Sequence, residues 1–338
     1  MRGNRRQVRL LTRHFLRRFL DNDLIAPDTD LHTPLAAVIA ALLIVSATVA
    51  SVGVLAMSQV PAAAQEPDAT PEDRPKIALW MRYEFRRDRF RYRFENPSSF
   101  DTTFTVPHYF TQSYRADNQW VFAGARYPVF DSVAETEFGL TPERVTVGDD
   151  YDTFFQPDGN IVVYGTTADV SLRSYRFSQR LESRTVRGWT ARLGYTYQRD
   201  RSVFHPSFST TMQSSPPSCS SFWNPARETT ISEVHEIQVG AARRFALSRA
   251  WTIRALADLA PVRLAKLTTI LPDKYPGEDL VFLSKGVSLT PRFSALWLRG
   301  RWAADLSLTY SATWNYGKAD QFQRNAIGAG VRIGFTPR

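Results

Sequence analysis

The 338-residue chain has one cysteine, Cys219, so no internal disulfide can form and the fold must hold without covalent cross-links. It has no glycine-rich loop placed to cradle phosphate, no zinc-ligand spacing and no nucleophile elbow, so nucleotide, zinc and α/β-hydrolase chemistry have no motif to stand on, and no cofactor or metal is expected. Nor does it have a basic block. Its 42 Lys and Arg against 33 Asp and Glu give a net charge of +9, but they are spread along the chain, which argues against a nucleic-acid site. After residue 65 no apolar run has a helical period of useful length. What remains is rich in aromatic side chains and in short segments that alternate in polarity.

Residues 1–64 read as a basic extension followed by a secretory signal peptide. VRLLTRHFLRRFL supplies arginines, residues 34–57 carry no charge, and Ala62 and Ala64 stand at the minus-three and minus-one positions of a cleavage site. That apolar core is also long enough to cross a bilayer, which takes about 20 residues. An inner-membrane signal anchor carrying a periplasmic β domain is therefore the alternative. Residues 65–75 form a polar linker, and 76–338 the domain whose fold is at issue.

In RWAADLSLTYSATWNYGK (301–318) the even positions include Trp302, Leu306, Leu308, Tyr310 and Trp314, and the odd positions include Asp305, Ser307, Thr309, Ser311 and Thr313. Side chains alternate across a strand, so this is a strand with one apolar and one polar face. NAIGAGVRIGF (325–335), GVSLTPRFSALW (286–297) and WTARLGYTYQ (189–198) repeat the pattern, and 120–130, 132–140, 168–181, 234–245 and 251–264 follow it more weakly. Aromatic rings sit at the strand ends, as amphipathic rings do where hydrocarbon meets headgroups. Two segments change phase, between Arg86 and Phe90 and between Leu172 and Tyr175, which reads as a bulge or turn. Short connections are expected at 116–118, 182–187, 246–250 and 299–301, and long ones at 141–159, 205–228 and 272–280.

Taken together, the signal segment, the alternating strands with aromatic ends and the final aromatic Phe335 resemble bacterial outer-membrane β-barrels. The resemblance implies an all-β fold, a closed antiparallel transmembrane β-barrel of about ten to twelve strands with tight periplasmic turns and long outer loops. It also implies outer-membrane lipid, lipopolysaccharide and the barrel-assembly machinery as partners. Such barrels usually finish on the aromatic residue, whereas this chain continues Thr336-Pro337-Arg338. Trp302, Leu306, Leu308, Trp314 and Val331 are then expected to face lipid. Arg192, Glu236, Arg254, Asp258, Arg292, Asp305 and Arg332 fall on the opposite faces, and their mixed signs predict an ion-pair network in the lumen.

The expected function is that of a non-enzymatic envelope barrel with long extracellular loops, either a narrow pore or a binding or adhesion protein; the residues name no extracellular ligand. The catalytic alternative rests on Asp150-x-Asp152 and Glu233-x-His235, each near a long connection. These pairs resemble those of omptins, outer-membrane proteases in which a carboxylate-oriented His activates a water held by an Asp pair, which is general-base chemistry. Glu233 stands where that family has Asp.

Overall fold

The computed structural model describes residues 77–95, 108–156, 158–270, 279–316 and 321–336, and every regular element among them is a β-strand. The apolar segment 34–57, the cleavage site and the polar linker lie outside the described residues. The strands are β1 (Ala78–Glu95), β2 (His108–Val129), β3 (Ser132–Leu140), β4 (Arg144–Phe155), β5 (Ile161–Glu182), β6 (Trp189–Phe204), β7 (Ser207–Gln213), β8 (Ser218–Asn224), β9 (Glu228–Ala246), β10 (Trp251–Ile270), β11 (Asp279–Arg299), β12 (Trp302–Asn315) and β13 (Gln321–Phe335).

Eleven of these runs make a closed antiparallel wall of ten strands, because β3 and β4 are two halves of one strand. Both lie between β2 and β5, with Leu140 opposite Val121 and Tyr175, and Gly148 opposite Tyr114 and Ala168. From Leu140 to Arg144 the chain advances four residues while β5 goes back three, from Tyr175 to Leu172, so the join is a bulge. Thr141 closes it: its backbone N–H donates to the Ser174 carbonyl at 3.0 Å, and its Oγ1 accepts from the Ser174 N–H at 2.9 Å. The wall then runs β1, β2, β3 with β4, β5, β6, β9, β10, β11, β12, β13 and back to β1. Closure leaves no unpaired strand edge within the wall, which hydrocarbon would not tolerate.

Following the register from Tyr83 both ways around the ring gives the stagger. One route passes Val121, Leu140, Tyr175, Arg199 and Glu233 to Lys266, and the other passes Val331, Leu306 and Ala295 to Ile253. The two arrivals on β10 are 266 − 253 = 13 residues apart, one of them the extra residue of a second bulge. A stagger of this size tilts every strand against the barrel axis. Pro261 occupies that second bulge, where a residue without an N–H costs no ladder bond. Gly286 stands beside it, where a Cβ would come within 2.1 Å of the Trp314 carbonyl oxygen.

One end of the barrel carries the short turns 130–131, 183–188, 247–250 and 300–301, while the other carries the longer connections and the β7–β8 hairpin, which extends the sheet from the upper part of β5. Three sequence-based expectations are corrected here. Residues 116–118 are no turn but the middle of β2, and 141–159 are largely β4 rather than a loop. The phase changes at Arg86–Phe90 and Leu172–Tyr175 are neither bulge nor turn on β1 or β5: β1 pairs with β13 without interruption from Leu79 to Arg93.

An inversion of polarity explains those apparent phase changes. From Trp80 to Phe94 the even-numbered residues of β1 are all buried, but after Trp80 they run Arg82, Glu84, Arg86, Asp88 and then Phe90, Tyr92, Phe94. The outward residues run the other way, from Leu79, Met81, Tyr83 and Phe85 to Arg87 and Arg89. β5 does the same, with inward Ala168, Val170 and Leu172 giving way to Ser174, Ser178, Arg180 and Glu182. The wall leaves the hydrocarbon partway along each strand. Within the membrane the outside is greasy and the inside polar; beyond it, water outside calls for the reverse.

Candidate functional site

The outward apolar belt sets the membrane level. On β13 it extends from Ile327 through Ala329, Val331 and Ile333 to Phe335, nine residues, which matches the 9–11 residues of a spanning strand. Trp189, Trp251, Trp297, Trp302 and Phe335 ring the short-turn end, with Trp302 and Phe335 in contact at 5.0 Å between centroids. Tyr83, Phe85, Tyr175, Phe177, Tyr195, Tyr197 and Tyr310 ring the other end. Leu306, Leu308, Val331 and Trp302 point outward and are exposed, and Trp314 points outward half-buried.

Inside, charged groups fill the membrane-level lumen. Arg192 reaches Asp258 at 2.7 Å and Glu182 at 3.1 Å, and Arg254 and Arg126 also bind Glu182. Arg332 binds Asp305 at 3.0 Å and Glu135 at 3.5 Å, while Arg82 binds Glu137 at 3.0 Å. Glu236 accepts from Ser288 at 2.8 Å and Gln238 at 3.1 Å and lies 3.6 Å from Arg263. Arg292 donates to Thr309 Oγ1 at 3.1 Å. The seven lumen residues picked from the sequence thus all lie on the inner face.

The layer above bridges the barrel. Arg324 on β13 donates to Asp88 on β1 at 2.8 Å and to both oxygens of Asp200 on β6 at 2.9 and 3.0 Å. β13 and β6 lie five strands apart by either route around a ten-strand wall, so this ion pair spans the full diameter of the lumen. Asn118 and Arg86 hold Asp88, and Gln198 and Ser232 hold Asp200. Between these layers a polar cavity of about 40 Å³, lined by Arg86, Arg176, Glu236 and Arg263, has room for a few waters.

Above the bridge the lumen turns apolar. Phe90, Tyr92, Phe94, Tyr114, Val170, Leu172, Phe204, Val234, Leu267, Phe282 and Phe322 form one buried cluster drawn from eight strands. Phe94 of β1 stacks on Phe282 of β11 with centroids 3.8 Å apart, although β12 and β13 stand between those strands in the wall. Tyr92 stacks on Phe322 at 4.7 Å and shares a hydrogen bond with Tyr114 at 3.0 Å. Burial pushes both phenols up, so they stay neutral. This cluster and most of its partners were missed in the sequence because β1 and β5 were read as broken by phase changes; the unbroken even-number pattern of β1 was the available signal.

The four candidate protease residues are not brought together. Asp150 pairs with the fully buried Gln112 and Asp152 with Phe110, and residues directly opposite share a face, so both aspartates point into the barrel. β9 buries its even residues, and Glu233 and His235 are odd; His235 is exposed. His235 Nδ1 shares a hydrogen bond with Tyr195 Oη at 2.8 Å, and Tyr197 donates to Glu233 at 3.1 Å, all on the outer surface. The wall separates the two pairs, and the reason is the parity of β9, which a two-residue motif cannot reveal.

Above the aromatic ring the outer surface is basic. Arg87, Arg89, Arg115, Arg173, Arg199, Arg201, Lys266 and Lys285 are exposed there on six strands. Arg87 makes a bidentate pair with Asp117 at 2.7 and 2.9 Å, and this pairing holds the Asp117 carboxyl below its ordinary range.

No protein-family model matches the chain, and no curated protein sequence does. Among solved structures it is similar to the outer membrane protease OmpT from Escherichia coli, at 9% identity and a TM-score of 0.60, over 80% of this chain and 99% of that one. It also matches the translocator domain of the autotransporter NalP from Neisseria meningitidis, at 12% identity and a TM-score of 0.31 over 88% and 100% of the two chains. A third match is Ail, the attachment invasion locus protein of Yersinia pestis, at 9% identity and a TM-score of 0.24 over 78% and 100%. Only the first superposition is close enough to carry an argument, and at that identity it concerns the fold. By its closed ten-strand wall, its outward apolar belt and this likeness, the chain has the fold of a bacterial outer-membrane β-barrel.

Proposed function

We propose that the protein is a plugged envelope barrel that works as a binding platform at the cell surface and passes no solute. The observation that carries this reading is the bridge of Arg324 to Asp200 between opposite walls. A solute would have to break a buried, multiply hydrogen-bonded ion pair and then part the stacked rings of Phe94 and Phe282. Breaking a buried pair alone costs about 3–5 kcal/mol. What the protein offers its surroundings is therefore its outer surface: the basic collar, which suits the phosphates of the outer leaflet, and the long connections. Proteolysis of the omptin kind is not supported, since its two residue pairs lie on opposite sides of the wall.

The test is electrical. Purified protein inserted into planar bilayers should give no unitary conductance steps, at any polarity, above those of protein-free membranes. Discrete steps of uniform size would refute the plugged reading and restore the narrow pore.

A further inference from the structure

The collar contains one concave place. Just above the aromatic ring, a cleft of about 230 Å³ opens on the outer surface, against β5, β6 and the segment leading into β9. Arg173, Arg201 and Arg227 line it, together with His205, Ser171 and Glu143. Its residues are held in place: the His205 backbone N–H donates to the Asp169 carbonyl at 2.9 Å, and its Nε2 shares a hydrogen bond of 2.7 Å with Ser171 Oγ.

The charge arrangement is costly as it stands. Arg173 of β5 lies directly opposite Arg201 of β6, and like charges facing each other across a strand pair are destabilising. Among the described residues, neither makes an ion pair with a carboxylate; Arg173 rests instead over the Tyr175 ring at 5.2 Å. Arg173 and Arg201, neither matched by a carboxylate, make the cleft positive. A phosphate monoester carries about −1.5 to −2 at neutral pH, and guanidinium forks match its oxygens. The height is informative too. Arg173 lies two residues, roughly 7 Å of strand, above Tyr175 of the aromatic ring, which is headgroup depth.

We propose that this cleft binds the phosphate of an anionic lipid headgroup in the outer leaflet, with Arg173 and Arg201 as its principal ligands. The proposal rests on the binding-platform reading and on the apolar belt that fixes the membrane level. A phosphate seated between the two guanidiniums turns a repulsive pair into a bridged one, and the lipid's chains then descend along Tyr175 and Phe177.

The experiment uses the folded barrel in a non-ionic detergent and three probes: dihexanoyl phosphatidic acid, dihexanoyl phosphatidylcholine and inorganic phosphate. Calorimetric titration should give one saturable site for the phosphatidate. Arg173→Gln/Arg201→Gln should weaken it by at least about tenfold. Arg89→Gln/Arg115→Gln removes the same charge from another directly opposed arginine pair on the collar, which does not line this cleft, and should change affinity by less than about threefold. Heat-modifiable gel mobility checks that both variants are folded. Equal weakening by both variants would mean diffuse attraction to the collar and overturn the site, as would phosphatidylcholine binding as tightly as phosphatidate. Inorganic phosphate binding as tightly as phosphatidate would overturn the lipid assignment and point to a soluble anion. Unitary conductance in bilayers would sink the plugged reading while leaving the titration result intact, so the two failures are distinguishable.

Discussion

Arg324→Met tests the bridge across the lumen most directly. The substitution removes the hydrogen bonds to Asp88 at 2.8 Å and to Asp200 at 2.9 and 3.0 Å, together with the cation–π contacts to Phe90 at 4.7 Å and Trp120 at 5.8 Å. It leaves two carboxylates that are 0% and 1% exposed. Asp88 keeps Arg86 and Asn118, but Asp200 keeps only neutral donors, Gln198 and Ser232, among its hydrogen-bond partners. Stripping one partner from a buried ion pair costs about 3–5 kcal/mol, and the retained donors place this case toward the lower half of that range. Replacing the pair across the lumen, as Arg324→Met/Asp200→Asn, leaves Asp88 matched by Arg86 and no net charge behind, and such replacements are often neutral. The double variant should therefore recover at least half of the loss. Urea unfolding of barrels folded into phospholipid vesicles, followed by tryptophan fluorescence and by gel mobility, measures both numbers. A single-variant loss below about 1 kcal/mol, or a double variant no more stable than the single one, would refute the claim that this pair is a desolvated, mutually dependent network.

Four further outcomes are expected. Leu308→Arg places a charge on the outward apolar belt and should cost about 2–4 kcal/mol, or block insertion; unchanged vesicle stability would mean that this face is not in lipid. Gly286→Ala drives a methyl group into the Trp314 carbonyl beside the Pro261 bulge and should cost about 1–3 kcal/mol in the same unfolding assay. Acid should weaken the bridge: burial alone would raise the Asp88 pKa, but Arg324 and Arg86 outweigh it, so the folded carboxyl sits below its ordinary range. The stabilisation it brings is present at neutral pH and is lost as pH falls below that range, and in Arg324→Met, measured by unfolding against pH, the loss should begin at a higher pH. His235→Ala should remove one exposed hydrogen bond to Tyr195, cost no more than about 1.5 kcal/mol, and leave cleavage of a peptide panel at the wild-type level.

Much of the fold was legible because a β-barrel writes its architecture in a period of two. β12 and β13 have most of their residues at membrane level, so the contrast between Leu306 or Val331 outside and Asp305 or Arg332 inside runs over the greater part of each. β1 and β5 run on beyond the membrane, and there the same alternation carries the opposite chemistry. Read with the assumption that apolar means lipid-facing, Phe90 and Arg86 appear to be on different faces; in the barrel they share one. β4 was lost for a related reason. RVTVGDDYDTFF carries Asp149, Asp150 and Asp152 in a row of turn-favouring residues, yet Asp150 and Asp152 fall opposite Gln112 and Phe110 in a ladder continuous from Gly148 to Phe154. Long-range pairing overrode local propensity there, and no short-range signal records it.

The two halves of the barrel also divide the work. At membrane level the lumen must satisfy inward polar groups with one another, which yields Glu182 held by three arginines and Arg192 held by two carboxylates. Beyond the membrane the wall resembles that of a water-soluble barrel, filled by Phe94, Phe282, Tyr92 and Phe322, and this core consumes the space through which a pore would run. On the plugged reading, extending the strands past the hydrocarbon closes the channel, and in the same stroke it lifts a rigid outer surface to headgroup height. There the outward positions are free of the demand to be greasy, and the chain fills them with arginine. A barrel built this way has its interior committed to holding itself together, so the residues that can meet a ligand without unfolding it are those of the collar and the connections above it, and Arg173 facing Arg201 across β5 and β6 is the place where that surface is charged, concave and unreconciled.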